Sequence, residues 1–376
     1  MTVTVETVGS LRTHQSAWEA LAGSAIEPNP FYEPWMLLPA IEAFGQKVDF
    51  RFLLVWAPDP TSASGPPVLC GLFPFERRPR YHGLPLIHLC LWQPLQVALC
   101  TPLVRASHAE HCLAALFDWF ETSAERYDFM AWGMVSGDGP LRARLVDLFD
   151  ARRTAVFEAE ATTRALFRPA EDAESFLAQA PISGRHLKGI RRQARRLSEQ
   201  GELAYLHLSS PADAKAWLEA YAAIEVAGWK GRAGTAFLAR EADRAFFFAA
   251  MQAAADRGRL MMLGMRLDGR WIAMKCNVTA GDGAFALKIT YDEAYASYSP
   301  GVLLEMENIR RLHDMRQVKW MDACAVPDHF MINRLWSDRR VIQTLLIATR
   351  KRGGLVLSLL PFARWMKRAV AAGGRK

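Results

Sequence analysis

Residues 298–303, Tyr298-Ser299-Pro300-Gly301-Val302-Leu303, join a strand of alternating side chains to the start of a helix. A helix start leaves its first N–H groups unpaired, and its dipole favours negative charge, so such a loop suits a phosphate or pyrophosphate. Ser299, Gly301, Val302 and Leu303 could supply the donors. Gly301 lets the backbone approach a ligand closely. Pro300 presets one φ angle and gives no donor. The same residues would also serve as an ordinary turn that opens a helix. Groups able to move protons lie nearby in the sequence. Asp322 sits near the end of an apolar strand, where apolar neighbours would raise its pKa; holding backbone or an arginine in place is its other role. His329 brings an imidazole, which titrates unperturbed at about pH 6.5. Lys288 stands on the strand before the loop, where it pairs with Asp322, meets an anionic acceptor, or snorkels outward. Tyr298 could give up a proton.

An ordered set of elements has to position these groups. In the first half, helices are expected at 13–23, 33–45, 108–125 and 139–150. Strands are expected at 50–56, 68–75, 85–92, 129–135 and near 162–167, with a Pro-, Ser- and Gly-rich loop at 58–67. Residues 183–201 follow, with Leu187, Ile190, Ala194 and Leu197 at helical spacing and no acidic residue from Arg185 to Arg196. Ser183 could cap this helix and Gly201 end it. It is either a solvated amphipathic helix or one that faces phosphates, an acidic acceptor or RNA.

The order then becomes informative. A strand at 202–208 leads to helices from Ser210 to about 226 and at 239–257. Three strands follow, at 260–267, 271–279 and 284–291, with Asp268-Gly269 as a hairpin signal and Gly281-Asp282-Gly283 as a second turn. This is an antiparallel meander. After the 295–301 loop come a helix with Val302, Met306, Ile309 and Leu312 on its buried stripe, and a strand at 318–323. The first half shows a similar order of elements, as a degenerate duplicate would.

Composition narrows the classes. The 376 residues are 51% hydrophobic and 23% charged, enough for two domains. The N-terminus shows no basic stretch before an apolar core, so no secretory signal is expected. No apolar run reaches the length of a spanning helix. Six scattered cysteines without a CxxC pair argue for free thiols in a reducing cytoplasm and against a zinc site. The net charge of +7 is local: from Arg339 onward there are ten Lys/Arg and no Asp/Glu, which leaves 36 basic against 39 acidic residues before it. A nucleic-acid-binding body is therefore not implied. Walker, GxSxG, HExxH and Rossmann patterns are absent.

Several segments carry a resemblance: Asn29-Pro30-Phe31 before a helix bearing Trp35, RRQARRL (191–197), GWKGR (228–232), YDEAYASYSPGVLLEMENIR (291–310) and the Asp of KWMDA (319–323). Together they resemble the CelD-like acetyltransferases of the GNAT superfamily, a group near cellulose and exopolysaccharide biosynthesis proteins and related to Fem-type peptidyltransferases. The resemblance spans roughly residues 25–345. Many members carry a Tyr-Lys pair soon after the Asp-bearing strand; here that stretch reads His329-Phe330, so no role of that Lys is transferred.

The resemblance implies an α/β (α+β) fold of tandem GNAT-like domains with mixed, mostly antiparallel sheets. The first, 1–160, would be degenerate; the second, 161–348, would hold the CoA site; 349–376 would form a basic amphipathic tail. It implies acetyl-CoA or another acyl-CoA as co-substrate and no metal. Donors near Tyr291 and Asp292 would polarise the thioester carbonyl, and the 299–303 loop would hold the pyrophosphate. Glu225 and Trp229, Lys230 and Arg232 would lie along the acceptor channel. Direct transfer of an acyl group, acetyl by the resemblance, to a small-molecule amine or hydroxyl is the expected reaction, in polysaccharide or envelope-precursor biosynthesis. The rivals are a Fem-like enzyme using aminoacyl-tRNA, under which alone a nucleic acid becomes a partner, and a non-catalytic component of a biosynthetic complex. In the tail, Leu355, Leu359, Phe362 and Met366 recur at helical spacing among Arg364, Lys367 and Arg368. Such a helix either packs on the body or touches the inner face of the membrane.

Overall fold

In a computed structural model that describes residues 1–59, 65–228 and 237–373, helix starts and turns fall where the residue types require them. The chain begins with β1 (Thr2–Glu6), α1 (Val8–Leu11), α2 (Gln15–Ala22), α3 (Pro34–Phe44), β2 (Phe50–Ala57), β3 (Val68–Arg78), β4 (His88–Leu91) and β5 (Leu103–Val104). Next come α4 (Ala109–Thr122), β6 (Phe129–Ser136), α5 (Pro140–Arg152), β7 (Val156–Phe167), α6 (Ala173–Gln179) and α7 (Gly184–Ser198). Then follow β8 (Leu203–His207), α8 (Ala214–Ala227), α9 (Glu241–Asp256), β9 (Leu260–Leu267), β10 (Arg270–Ala280) and β11 (Gly283–Tyr291). The chain closes with α10 (Pro300–Asp314), β12 (Trp320–Asp322), α11 (Ile332–Leu335), β13 (Asp338–Ala348) and α12 (Lys351–Gly373).

Two compact units result. The first comprises Met1–Pro34, Lys47–Thr162 and the chain from Val341; the second comprises Trp35–Gln46 and Thr163–Arg340. In the first unit the strand order is β1-β2-β3-β4-β6-β13, with β5 beside β3. Only β4 and β6 run parallel among these pairs. In the second the order is β7-β12-β11-β10-β9-β8, with β11 and β12 parallel and the rest antiparallel. Each sheet is therefore mixed and mostly antiparallel. The expected boundaries at 160 and 348 differ from these units in two segments. Residues 35–46 join the second unit, where Phe44 packs on Phe246 of α9 with ring centroids 5.5 Å apart. Residues 341–348 join the first, because β13 pairs with β6 from Ile342↔Ser136 to Ala348↔Phe129. The sequence reading assigns no strand to 338–348.

Local chemistry explains the second unit. Ser183 caps α7 by accepting from the His186 N–H, and Leu187, Ile190, Ala194 and Leu197 pack onto the core around Phe167, Leu303 and Trp336. Asp268 and Gly269 both adopt positive φ, 49° and 76°, as a two-residue hairpin of the twisted type demands. Gly283 pairs with Trp320 at the start of the parallel β11–β12 contact, and a Cβ there would overlap the indole. Among the described residues, no helix is long and apolar enough to cross a membrane. No group of three or more His, Cys, Asp or Glu among them could hold a metal ion.

Candidate active site

Strands β11 and β12 pair only from Gly283↔Trp320 to Phe285↔Asp322. Beyond that point β11 runs on to Tyr291, while β12 stops, and the two part. Asp322 ends β12. Its Oδ1 accepts the Cys324 N–H at 2.9 Å, and Cys324 turns at φ 49°. A β-branched or bulky residue would resist that conformation. Beyond Phe285, no strand among the described residues pairs with this edge of β11. The Asp292 N–H donates to the Ile272 carbonyl at 2.8 Å, so residues of its parity face β10. Ile289 and Tyr291 have the other parity and turn their N–H groups to the open edge. A bulge places Leu287 as an extra residue opposite Cys276/Asn277.

Beside this edge lies a cavity of about 220 Å³, lined in part by Tyr221, Glu225, Lys275, Lys288, Glu305 and His329. The Lys275 and Glu305 side chains are 5% and 0% exposed, with Nζ 2.8 Å from Oε2. Asn308 donates to Glu305 Oε1 at 2.9 Å and accepts from Asn277 at 3.0 Å. The buried pair is thereby set in a polar chain from α10 to β10. The Tyr221 hydroxyl, on α8, is fully buried and has no hydrogen-bond partner among the described residues. Burial pushes its phenol well above the usual value, so it keeps its proton. One turn later Glu225 accepts the Leu238 N–H through Oε2 at 3.1 Å. Burial, then the Asp322 carboxylate, push the Cys324 thiol up, so this lining cysteine is a thiol and not a nucleophilic thiolate.

A second cavity of about 380 Å³ lies between α7 and the start of α10, with Arg185, Arg192 and Arg334 at its wall beside Ser299 and Val302. Pro300 is the first residue of α10 and gives no donor, and Ser299 is left-handed at φ 54°. Ser299 donates its N–H to Ala296, and Val302 and Leu303 donate to the Ser299 carbonyl at 2.9 and 3.1 Å. Among the described residues the Gly301 N–H finds no backbone acceptor outside the helix, and as second residue it has none within it. A Cβ there would meet the Tyr291 and Ile289 side chains only at ordinary contact distance. Of the four expected loop donors, then, Gly301 is the uncommitted one, and the arginines supply the remaining positive charge.

Other expectations change. Asp322 is fully buried, and burial works to raise its pKa, but Arg164 and Arg340 outweigh this and hold it below the ordinary value. Arg164 lies 2.7 Å from each carboxylate oxygen and Arg340 3.0 Å from Oδ2. A carboxylate so held is a poor proton acceptor; it anchors the notch rather than serving as the base. Lys288 is exposed and lines the first cavity, and it does not pair with Asp322. His329 Nδ1 accepts the Ile332 N–H at 3.4 Å. Tyr298 lies outside the lining of both cavities, with the Arg196 guanidinium 5.9 Å from its ring centroid. Asp292 is spent on Ile272 by its N–H, and on Arg270 and Ala294 by its carboxylate. Trp229, Lys230 and Arg232 lie outside the described residues.

The structure adds Tyr221, Lys275, Glu305 and Arg334. Lys275 interrupts the apolar run WIAMKCNV, and Glu305 falls on the buried stripe of its helix, so both carried a sequence signal. Nothing in AWLEAYAAIEV marks the Tyr221 hydroxyl as unpaired.

Residues 184–330 match the family model of the acetyltransferase (GNAT) domain. These residues, fewer than half of the chain, are what is similar to that domain. Among solved structures, FemX is similar at a TM-score of 0.54, with 11% identity over 92% of this chain and 97% of that one. The C-terminal domain of an Agrobacterium fabrum protein described as a lysylphosphatidylglycerol synthetase aligns at a TM-score of 0.53, with 10% identity over 92% and 95% of the two chains. A Bacteroides thetaiotaomicron protein of unknown function aligns at 0.52, with 10% identity over 93% and 100%. At these identities the likeness concerns the fold. No curated protein matches the chain.

Proposed function

We propose that the chain transfers an acyl group from an acyl-CoA directly to a small-molecule amine or hydroxyl. The observation that carries this reading is the open edge of β11 beside the arginine-walled mouth of α10. An acyl-pantetheine arm can add to that edge as a strand would, through the N–H groups of Ile289 and Tyr291. Its phosphates then meet Arg185, Arg192 and Arg334 at the wall of the second cavity, with the Gly301 N–H at the adjoining helix start. These free donors and basic side chains fit the co-substrate.

In this reading the acceptor occupies the cavity of Tyr221, Glu225 and Lys288. Its nitrogen or oxygen attacks the thioester carbon, and the carbon–sulfur bond breaks. Backbone N–H groups of β11 stabilise the oxyanion. Glu225 takes the acceptor's proton, because Asp322 is held by two arginines. The departing thiolate takes a proton from water. The CelD-like resemblance supports an acceptor among polysaccharide or envelope precursors, and acetyl as the group moved.

The test is thermal stability with acetyl-CoA, free CoA and a long-chain acyl-CoA, repeated on Gly301→Trp with Gly301→Ala as the folding control. Ligand at about 100 times its dissociation constant stabilises the fold by roughly 2.7 kcal/mol. A shift kept in Gly301→Ala and lost in Gly301→Trp supports the reading. A folded parent that ignores all three ligands sinks it. One observation favours a second reading: the arginines of α7 are exposed, and the fold is also that of FemX. An aminoacyl-tRNA donor would then bind with steep salt dependence, and CoA would not bind at all.

A further inference from the structure

Helix α12 has two apolar sides, and one of them is covered. Val356, Leu357 and Leu360 pack into a cluster with Leu86, Phe129 and Leu346 of the first unit. Leu355 and Leu359, one turn apart, remain 70% and 64% exposed, and Phe362 further along is 56% exposed. A surface helix in water ordinarily turns polar side chains outward. Here large apolar groups at i, i+4 and i+7 form a stripe rather than scattered exposures. The exposed Lys351 and Arg352 stand four and three residues before Leu355, the spacing that shares a helix face. From Lys351 onward the sequence holds seven Lys/Arg and no Asp/Glu.

We propose that α12 lies on an anionic lipid surface. The Leu355–Leu359 stripe is buried among the acyl chains, and the basic residues of the segment meet headgroup phosphates. Charge selects this occupant over a second copy of the chain. A two-fold contact through α12 would set one wholly basic segment against another.

The test uses the full chain and co-sedimentation with vesicles, one set of phosphatidylcholine alone and one with phosphatidylglycerol added. The bound fraction is expected to rise at least tenfold with the anionic lipid. It should be lost in Leu355→Glu/Leu359→Glu and in the milder Leu355→Ser/Leu359→Ser. Both variants should keep the parent's thermal midpoint, since the replaced side chains face solvent. A parent that ignores anionic vesicles overturns the proposal, as do variants that bind as well as the parent. So does a parent that is dimeric by light scattering and becomes monomeric in the variants without any lipid binding. None of these readouts depends on acyl transfer.

Discussion

Arg164 Nη2 donates to Asp322 Oδ2 at 2.7 Å inside the second unit, with both side chains buried. Arg340 reaches the same oxygen at 3.0 Å. The cluster joins the ends of β7 and β13 to the point where β12 stops, so it holds one wall of the notch. Removing the carboxylate takes away the buried negative charge that both guanidinium groups face. Asp322→Ala is therefore expected to cost about 3–5 kcal/mol, the usual loss when one partner of a buried ion pair is deleted. Urea unfolding at neutral pH measures it. A loss under 1 kcal/mol would show that the cluster does not anchor the fold.

The same carboxylate sets an acid limit. Its pKa in the folded protein is depressed below 3.8, because Arg164 and Arg340 outweigh the opposing effect of burial. A depressed folded value means that the contribution is complete above the unfolded value of about 3.9 and is lost as pH falls through the folded one. Stability attributable to Asp322 should hold from pH 7 to about pH 4 and fall below it. The parent's excess stability over Asp322→Asn should shrink in that lower window. An excess that stays constant down to pH 2 would contradict the assignment.

Much of this frame was legible in the sequence, and for physical reasons. Asp268-Gly269 fixed a hairpin because few residue pairs accept two positive φ angles. The alternation of 284–291 and the stripe of α10 announced β11 and its following helix. The roles inside the site were less legible, because they depend on long-range partners. Asp322 became an anchor through Arg164, 158 residues away, and no local pattern announces that pairing. Lys275 turned inward to Glu305 of α10 while Lys288 stayed exposed, though both stand on strands of one meander, because the partner that decides the matter lies on a distant helix. The exchange of 35–46 and 341–348 between the units was invisible for the same reason: strand partners are chosen by the whole fold.

Lys275 and Glu305 offer a cleaner division between fold and chemistry. Either single change, Lys275→Met or Glu305→Leu, strands a charge that is almost wholly buried, at a cost of about 3–5 kcal/mol. The double variant removes both charges and should recover most of that loss. Chemical denaturation of the four proteins gives the coupling energy. Additive losses in the double variant would mean that the two side chains do not act as a pair.

Tyr221 predicts the opposite sign. Its hydroxyl is buried without a partner among the described residues, and such a group costs about 1–3 kcal/mol of desolvation. Tyr221→Phe keeps the ring, which stacks on Phe247 at 5.3 Å, and deletes only the unsatisfied oxygen. The folded protein should be as stable as the parent or more so, by up to about 1 kcal/mol. A substrate that accepts a hydrogen bond from this phenol should bind the variant about tenfold more weakly, since a buried hydrogen bond contributes roughly 0.5–1.5 kcal/mol. Thermal unfolding without ligand and with saturating ligand separates the two effects. A variant that is less stable by more than 1 kcal/mol without ligand would mean that the hydroxyl already has a partner, and that the cavity of Tyr221 and Glu225 is not where a ligand satisfies it.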